Sequence, residues 1–177
     1  MRSVCLMLVA ACGAGTVDDA TDTDTADPDP NRSVQVTPAS FGCITDLEPV
    51  RRYRLGNLLG DVAASLAVAE DPAGKRFPAG TLIQLVPLEA MVKREAGFAP
   101  ATDDWEFFFL GVSADGTTIE SRGPDATNAF GGNCATCHAA TADSRDWTCE
   151  QGHGCGDLPL SAEAIAEIQA SDPRCAD

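Results

Sequence analysis

Two cysteines and a histidine form the most distinctive chemical motif of the sequence. Cys134 and Cys137 are separated by two residues and His138 follows directly, within "GGNCATCHAA" at residues 131–140. Cys-x-x-Cys-His is the pattern by which c-type haem is attached. The spacing lets two thioether bonds reach one edge of a porphyrin while the adjacent imidazole binds the iron. The motif predicts covalent haem on the two cysteines, with His138 as the proximal iron ligand.

Two other uses of the motif are open. A zinc ion could be bound by Cys134, Cys137, Cys149 and Cys155, or by His153 in place of one of them, although the interval between the second pair is wider than in a usual zinc knuckle. Alternatively, the six cysteines beyond residue 12 could form three disulfides, as small exported domains often do.

The cysteine count is compatible with haem attachment. If Cys134 and Cys137 carry haem, four disulfide candidates remain, namely Cys43, Cys149, Cys155 and Cys175. Four cysteines allow three connectivities. One of these joins Cys149 to Cys155 in a short loop and Cys43 to Cys175 across the domain.

Length and charge limit the kind of protein. The chain has 177 residues, 44% of them hydrophobic, and a formal net charge of −15. The length predicts one domain with a core of its own. The negative charge makes nucleic acid and anionic membrane surfaces unsuitable partners.

The N-terminal residues are typical of an exported lipoprotein. Residues 1–11 contain Arg2 followed by a short apolar run, which is the pattern of a signal peptide. Cys12 comes directly after two alanines and is the predicted lipidation site, with a plain secretory signal as the alternative. Residues 12–32 are rich in Thr, Asp and Pro and predict an extended tether. The haem domain is then residues 33–177, at the bacterial periplasm or outer membrane surface.

The elements that must position the motif are mostly strands. Trp105–Val112 predicts a central strand, and Asp115-Gly116 predicts a turn into a returning strand at 117–119. Alternation puts Trp105, Phe107 and Phe109 on one face of the strand, and Glu106, Phe108 and Leu110 on the other. An extended segment at 51–55, a helix at 58–69, a strand at 81–86 and a helix capped by Ser161 complete the prediction.

The position of the motif argues against a common electron carrier, in which a methionine ligand lies downstream of the haem motif. Here the motif is near the C-terminal end and no methionine follows it. Met91 and His153 are the remaining candidates for a second iron ligand. If neither coordinates, the iron has an open position that can bind a small molecule.

Three segments resemble the cytochrome P-460 family and its relative cytochrome c-prime-beta. They are "FPAGTLIQL", "LEAMVKREAGFAPATDDWEFFFL" and the late "CATCH", and the resemblance extends from about residue 51 to 146. It implies an α+β fold, mainly an antiparallel β-sheet with flanking helices, as a single covalent haem c domain that is often dimeric. It also implies a five-coordinate haem iron with an apolar distal pocket, for which Phe107, Phe108 and Phe109 are the candidates.

The resemblance also implies the kind of chemistry. Family members oxidise hydroxylamine or bind nitric oxide and similar gases in the periplasm, so the expected partners are such a ligand and a redox protein. Members that oxidise hydroxylamine carry a porphyrin-linked lysine at the position of Leu85 here. Lys93 lies in another segment and is expected to be solvated or to pair with a haem propionate. The main prediction is an exported monohaem protein that binds or transforms nitric oxide, hydroxylamine or peroxide. An electron-transfer cytochrome and a haem-free domain held by disulfides or zinc are the alternatives.

Overall fold

The computed structural model of the protein describes residues 32–150, 152 and 154–175. The predicted signal peptide, Cys12, nearly all of the tether and His153 lie outside these residues. Within the described ranges, no helix has the length and apolar character needed to cross a bilayer.

A six-stranded sheet is the centre of the domain. Each strand pairs antiparallel with the next one along the chain, so the spatial order is the sequence order. The strands are β1 (Glu48–Val50), β2 (Tyr53–Asn57), β3 (Thr81–Gln84), β4 (Glu89–Lys93), β5 (Trp105–Ser113) and β6 (Gly116–Arg122). The predicted α+β class with a mainly antiparallel sheet is confirmed.

The β5–β6 hairpin forms where the aromatic run and the Asp-Gly pair predicted it. Gly116 has a positive φ of 126°, a conformation that costs glycine little because it has no Cβ. The register shifts between Phe109 and Leu110, whose partners are Ser121 and Ile119, so that Glu120 of β6 has no partner on β5. This is the pattern of a β-bulge in β6.

The two faces of the sheet bury separate apolar clusters. One cluster includes Leu55, Ile83, Met91 and Phe107, which are cross-strand neighbours along β2 to β5, and it extends to Cys134 and Trp147. The other contains Phe108 and Leu110 of β5 and is covered by Val34, Val36 and Phe41 of the segment before β1. The prediction that β5 is buried on both faces is confirmed.

Four α-helices flank the sheet in the described part of the chain: α1 (Val62–Glu70), α2 (Cys134–His138), α3 (Ala142–Arg145) and α4 (Ala162–Ala170). The predicted start of the first helix at residue 58 is wrong. Gly60 has a φ of 90°, and the Asp61 carboxylate then accepts a hydrogen bond from Ala64 N at 3.2 Å. This side-chain cap begins the helix at Val62. Ser161 caps α4 as predicted, by accepting from Ala164 N.

The four described cysteines outside the motif form two disulfides. One joins the two that are closest in sequence, and the other joins the two that are furthest apart. Cys149 is bonded to Cys155, six residues away, and Cys43 is bonded to Cys175, 132 residues away. The longer bond links the segment before β1 to the segment after α4. Cys134 and Cys137 are therefore the two cysteines of the described domain without a disulfide partner.

Candidate functional site

The helix α2 consists of the five residues of the Cys-Ala-Thr-Cys-His motif. Asn133 caps it, because its side-chain oxygen accepts from Thr136 N at 2.8 Å while its side-chain nitrogen donates to the Pro124 carbonyl at 2.8 Å. Cys134 N also donates to the Ala126 carbonyl. These hydrogen bonds connect the start of α2 to residues 124–126, and they fix the orientation of the motif.

The two glycines before the motif form a tight turn. Gly131 has a φ of 80°, and the Asn128 side-chain oxygen accepts from Phe130 N and Gly132 N at 3.0 and 2.8 Å. A Cβ on Gly132 would come within 3.3 Å of the Asn128 side chain. The glycines are therefore required by the turn itself, a reason that sequence reasoning missed.

The two thiols of the motif differ in burial. Cys134 is buried and Cys137 is exposed. Burial, and after it the negative charge of Glu89, raises the pKa of Cys134 to about 11. The Cys134 thiol is therefore neutral at pH 7.

The His138 imidazole is held by the backbone of Trp147. Its Nδ1 lies 2.6 Å from the Trp147 carbonyl oxygen, and since a carbonyl can only accept, Nδ1 carries the proton. Burial lowers the pKa of His138, an effect that the Trp147 hydrogen bond opposes. The neutral ring then has its lone pair on Nε2. A donated Nδ1–H with a free Nε2 is the usual state of a histidine that binds a metal.

A cavity of about 350 Å³ lies beside the motif, within the usual size range of ligand sites. Cys134, Cys137 and His138 all line it. The sheet contributes apolar side chains to the lining, namely Ile83, Leu85, Met91 and Phe107. The disulfide loop contributes Cys149, Cys155 and Leu158. Two thiols, an imidazole and apolar walls around one cavity are a donor set that fits a c-type haem.

The three phenylalanines of β5 lie in different places. The Phe107 ring lines the cavity, and its centroid is 5.1 Å from that of His138. Phe108 is among the cavity-lining residues, but its ring packs in the cluster on the other face, 5.1 Å from the Phe41 ring. Phe109 is half-buried and is not part of the lining.

Positive charge at the cavity comes from β2 and the residues just before it. Arg51 and Arg52 line the cavity together with Tyr53. The Arg51 guanidinium pairs with Glu150 and donates to the Ala69 carbonyl at 2.9 Å. Arg52 donates to the Leu160 carbonyl at 3.1 Å. Glu89, Glu150 and Asp157 line the same cavity, so charges of both signs border it.

The structure shows the surroundings of Leu85 and Lys93, the two positions that carry a sequence-based expectation about a lysine. Leu85, the position that the resemblance assigns to a cross-linked lysine, lines the cavity. Lys93 is 7% exposed and its ammonium lies 2.9 Å from both oxygens of Asp146. The expectation that Lys93 is solvated is wrong, because the Asp146 carboxylate binds it inside the protein.

Neither rival arrangement of the cysteines is present among the described residues, which do not include His153. Cys149 and Cys155 are bonded to each other, so their sulfurs are not free to bind zinc as thiolates. Cys134 and Cys137 take part in no third disulfide. Among residues 32–150, 152 and 154–175, no three metal-binding side chains gather around a common point.

Comparisons of the chain with models of known protein families, with curated proteins and with solved structures find no match. The resemblance to cytochrome P-460 stays a prediction.

Proposed function

We propose that the protein is an exported monohaem c-type cytochrome whose cavity binds a small nitrogen-oxide ligand such as nitric oxide. The observation that carries this proposal is the state of the motif residues. Cys134 and Cys137 have no disulfide partner, and His138 carries its proton on Nδ1 and keeps Nε2 free. All three line one cavity. The bound haem would supply an iron centre with one position open to a small ligand.

The residues of the chain have separate tasks in this proposal. The two thiols attach the haem edge, and His138 binds the iron. Arg51 and Arg52 pair with the propionates. The apolar side chains of Ile83, Leu85 and Met91 exclude water from the remaining space. Next to these apolar side chains a small neutral ligand is favoured over a charged one, because a charge there would lose its hydration.

The place of the protein in the cell is part of the proposal. The disulfides Cys43–Cys175 and Cys149–Cys155 support export, since such bonds persist in the bacterial periplasm. Cys12 would carry the lipid anchor, with the acidic tether leading to the domain. A redox partner and a second copy of the chain are further proposed partners.

Intact mass after denaturation tests the haem attachment. The mature protein, produced with c-type haem maturation, is expected to be heavier than its polypeptide by one haem. The double variant C134A/C137A should lose that mass, and C149A/C155A, which also removes two sulfurs, should keep it. Wild-type protein that is colourless and carries no added mass would overturn the proposal.

The visible and resonance Raman spectra test the open position. Ferrous protein without added ligand is expected to be five-coordinate and high-spin, and nitric oxide should change the spectrum stoichiometrically. Turnover of hydroxylamine with an added electron acceptor would extend binding to catalysis. The lining residue Leu85 has no amine for a porphyrin cross-link, so we expect binding without such turnover.

Electron transfer is the second candidate, and Met91 is the observation that favours it. Its side chain is buried in the sheet face that borders the cavity, and a thioether there is a potential second iron ligand. A six-coordinate low-spin spectrum in the absence of added ligand would support this function instead of the first.

A further inference from the structure

A corner of two residues after α3 has an unusual backbone. Asp146 and Trp147 have φ values of 46° and 66°. Two consecutive non-glycine residues in the left-handed region are uncommon, and each is unfavourable by itself. Such a conformation persists only where surrounding contacts hold it. The contacts of this corner therefore indicate what maintains it.

The Asp146 carboxylate provides most of these contacts. Its side chain is fully buried, and it accepts from the Lys93 ammonium, from Arg76 Nη1 at 2.9 Å and from Phe77 N at 2.8 Å. The cations come from β4 and from the loop before β3. One buried carboxylate thus ties the corner to two separate parts of the fold.

The Trp147 side chain is held as well. Its indole Nε1 donates to Asp103 Oδ2 at 2.9 Å, and Arg76 also binds Asp103 Oδ2, at 2.8 Å. Hydrogen bonds fix both the Asp146 carboxylate and the Trp147 indole. Together they fix the orientation of the Trp147 carbonyl. Its oxygen lies 2.6 Å from His138 Nδ1.

We infer that Asp146 is a positioning residue for the proposed haem site: it sets the orientation of the Trp147 carbonyl and, through it, the donor strength of His138. The inference rests on the proposed function. A hydrogen bond from Nδ1–H raises the basicity of the ligating nitrogen and fixes the ring orientation. Weakening the corner should therefore weaken the iron–histidine bond.

Five variants of the mature haem protein test this inference. D146N keeps the shape of the side chain and removes its charge. R76Q removes a half-exposed cation of the same cluster and is the milder change, with R76K as its conservative rescue. The controls are matched ion pairs away from the cavity: D172N removes a buried carboxylate bound to Arg174, and R122Q removes a half-exposed arginine bound to buried Glu106.

The readouts are the iron–histidine stretching frequency of the ferrous protein and its reduction potential. D146N should shift the frequency down and the potential up, R76Q should give smaller shifts of the same sign, and R76K should match the wild type. D172N and R122Q should lower thermal stability without moving either quantity. If D146N and R76Q both leave the frequency unchanged, or if the control pairs shift it equally, the inference fails.

The failure of this inference is distinguishable from failure of the proposed function. Absence of covalent haem by intact mass would overturn the function, whereas haem-loaded variants with unshifted spectra would overturn only the role of Asp146. If D146N does not fold, the iron–histidine frequencies of R76Q and R76K are compared instead, and they test the inference. In haem-free C134A/C137A protein, nitrogen-15 NMR of the ring should show the His138 proton on Nδ1, and D146N should reduce that preference.

Discussion

Met91 on β4 lies directly across from Phe107 on β5, and both side chains line the cavity that contains His138. Phe107 contacts the imidazole, with ring centroids 5.1 Å apart, whereas Met91 is one strand further away. The same row of the sheet therefore contains a packing contact for His138 and the residue that the electron-transfer proposal makes a second iron ligand. Which role Met91 has decides between the two proposed functions.

Replacement of Met91 by leucine separates these functions. Met-to-Leu exchanges conserve volume and cost less than about 1.5 kcal/mol, so M91L should fold. We expect an unchanged five-coordinate ferrous spectrum, because the open-site proposal gives Met91 no bond to iron. I83V, at another position of the cavity wall, controls for packing. A wild-type low-spin spectrum that becomes high-spin in M91L would contradict the open-site proposal.

Phe107 and Phe108 form a matched pair on opposite faces of one strand. Both are almost completely buried, so F107L and F108L should each lower the free energy of unfolding by about 1–2 kcal/mol. Only F107L removes a ring that contacts His138, and only it should alter the iron–histidine frequency. Urea unfolding and Raman spectra give the two readouts, and equal spectral shifts would contradict the assignment of Phe107 to the site.

The two disulfides are expected to stabilise the protein unequally. The Cys43–Cys175 bond closes a loop with a sequence separation of 132, against 6 for Cys149–Cys155. Loop-closure entropy predicts losses of about 5 kcal/mol for C43A/C175A and about 2 kcal/mol for C149A/C155A. Chemical denaturation measures both. A larger loss of stability in C149A/C155A would show that the short disulfide stabilises the protein through local contacts with α2 and not through loop closure.

Tyr53 predicts a loss of stability in alkali. Burial raises its pKa to about 12, whereas an unfolded tyrosine titrates near about 10. The unfolded chain loses this proton first, so the stability contributed by Tyr53 is complete below about pH 10 and is lost as the pH rises toward 12. Because Tyr53 is the sole tyrosine, absorbance at 295 nm reports it alone. Y53F should flatten the pH dependence of urea unfolding between these values, and a native midpoint near 10 would contradict the prediction.

Local chemistry explains which elements were predictable from the sequence. The β5–β6 hairpin depends on an aromatic run and an Asp-Gly turn, and α4 depends on a serine cap. Both signals lie within a few residues of the element that they specify. The start of α1 was missed because the turn at Gly60 and the cap at Asp61 compete with a continuous apolar pattern. The bulge at Glu120 of β6 left no clear signal in the sequence.

Contacts between distant residues explain what was not predictable at the site. The motif predicts Cys134, Cys137 and His138 as a set because their spacing is local, and the structure places all three at one cavity. The corner at Asp146 depends on Lys93, 53 residues earlier, and no local pattern distinguishes that lysine from a solvated one. Two disulfides were predictable in number, but their pairing required the fold to bring Cys43 next to Cys175.

The long disulfide has a consequence for proteolysis. It encloses residues 44–174 in one covalent loop, and that loop contains the whole sheet and the Cys-x-x-Cys-His motif. A protease that cuts one exposed turn, such as the one at Asp115-Gly116, would leave two pieces still joined by sulfur. A single nick therefore releases no fragment until a reductant opens the bond, and the piece that contains the Cys-x-x-Cys-His motif stays with the rest of the molecule.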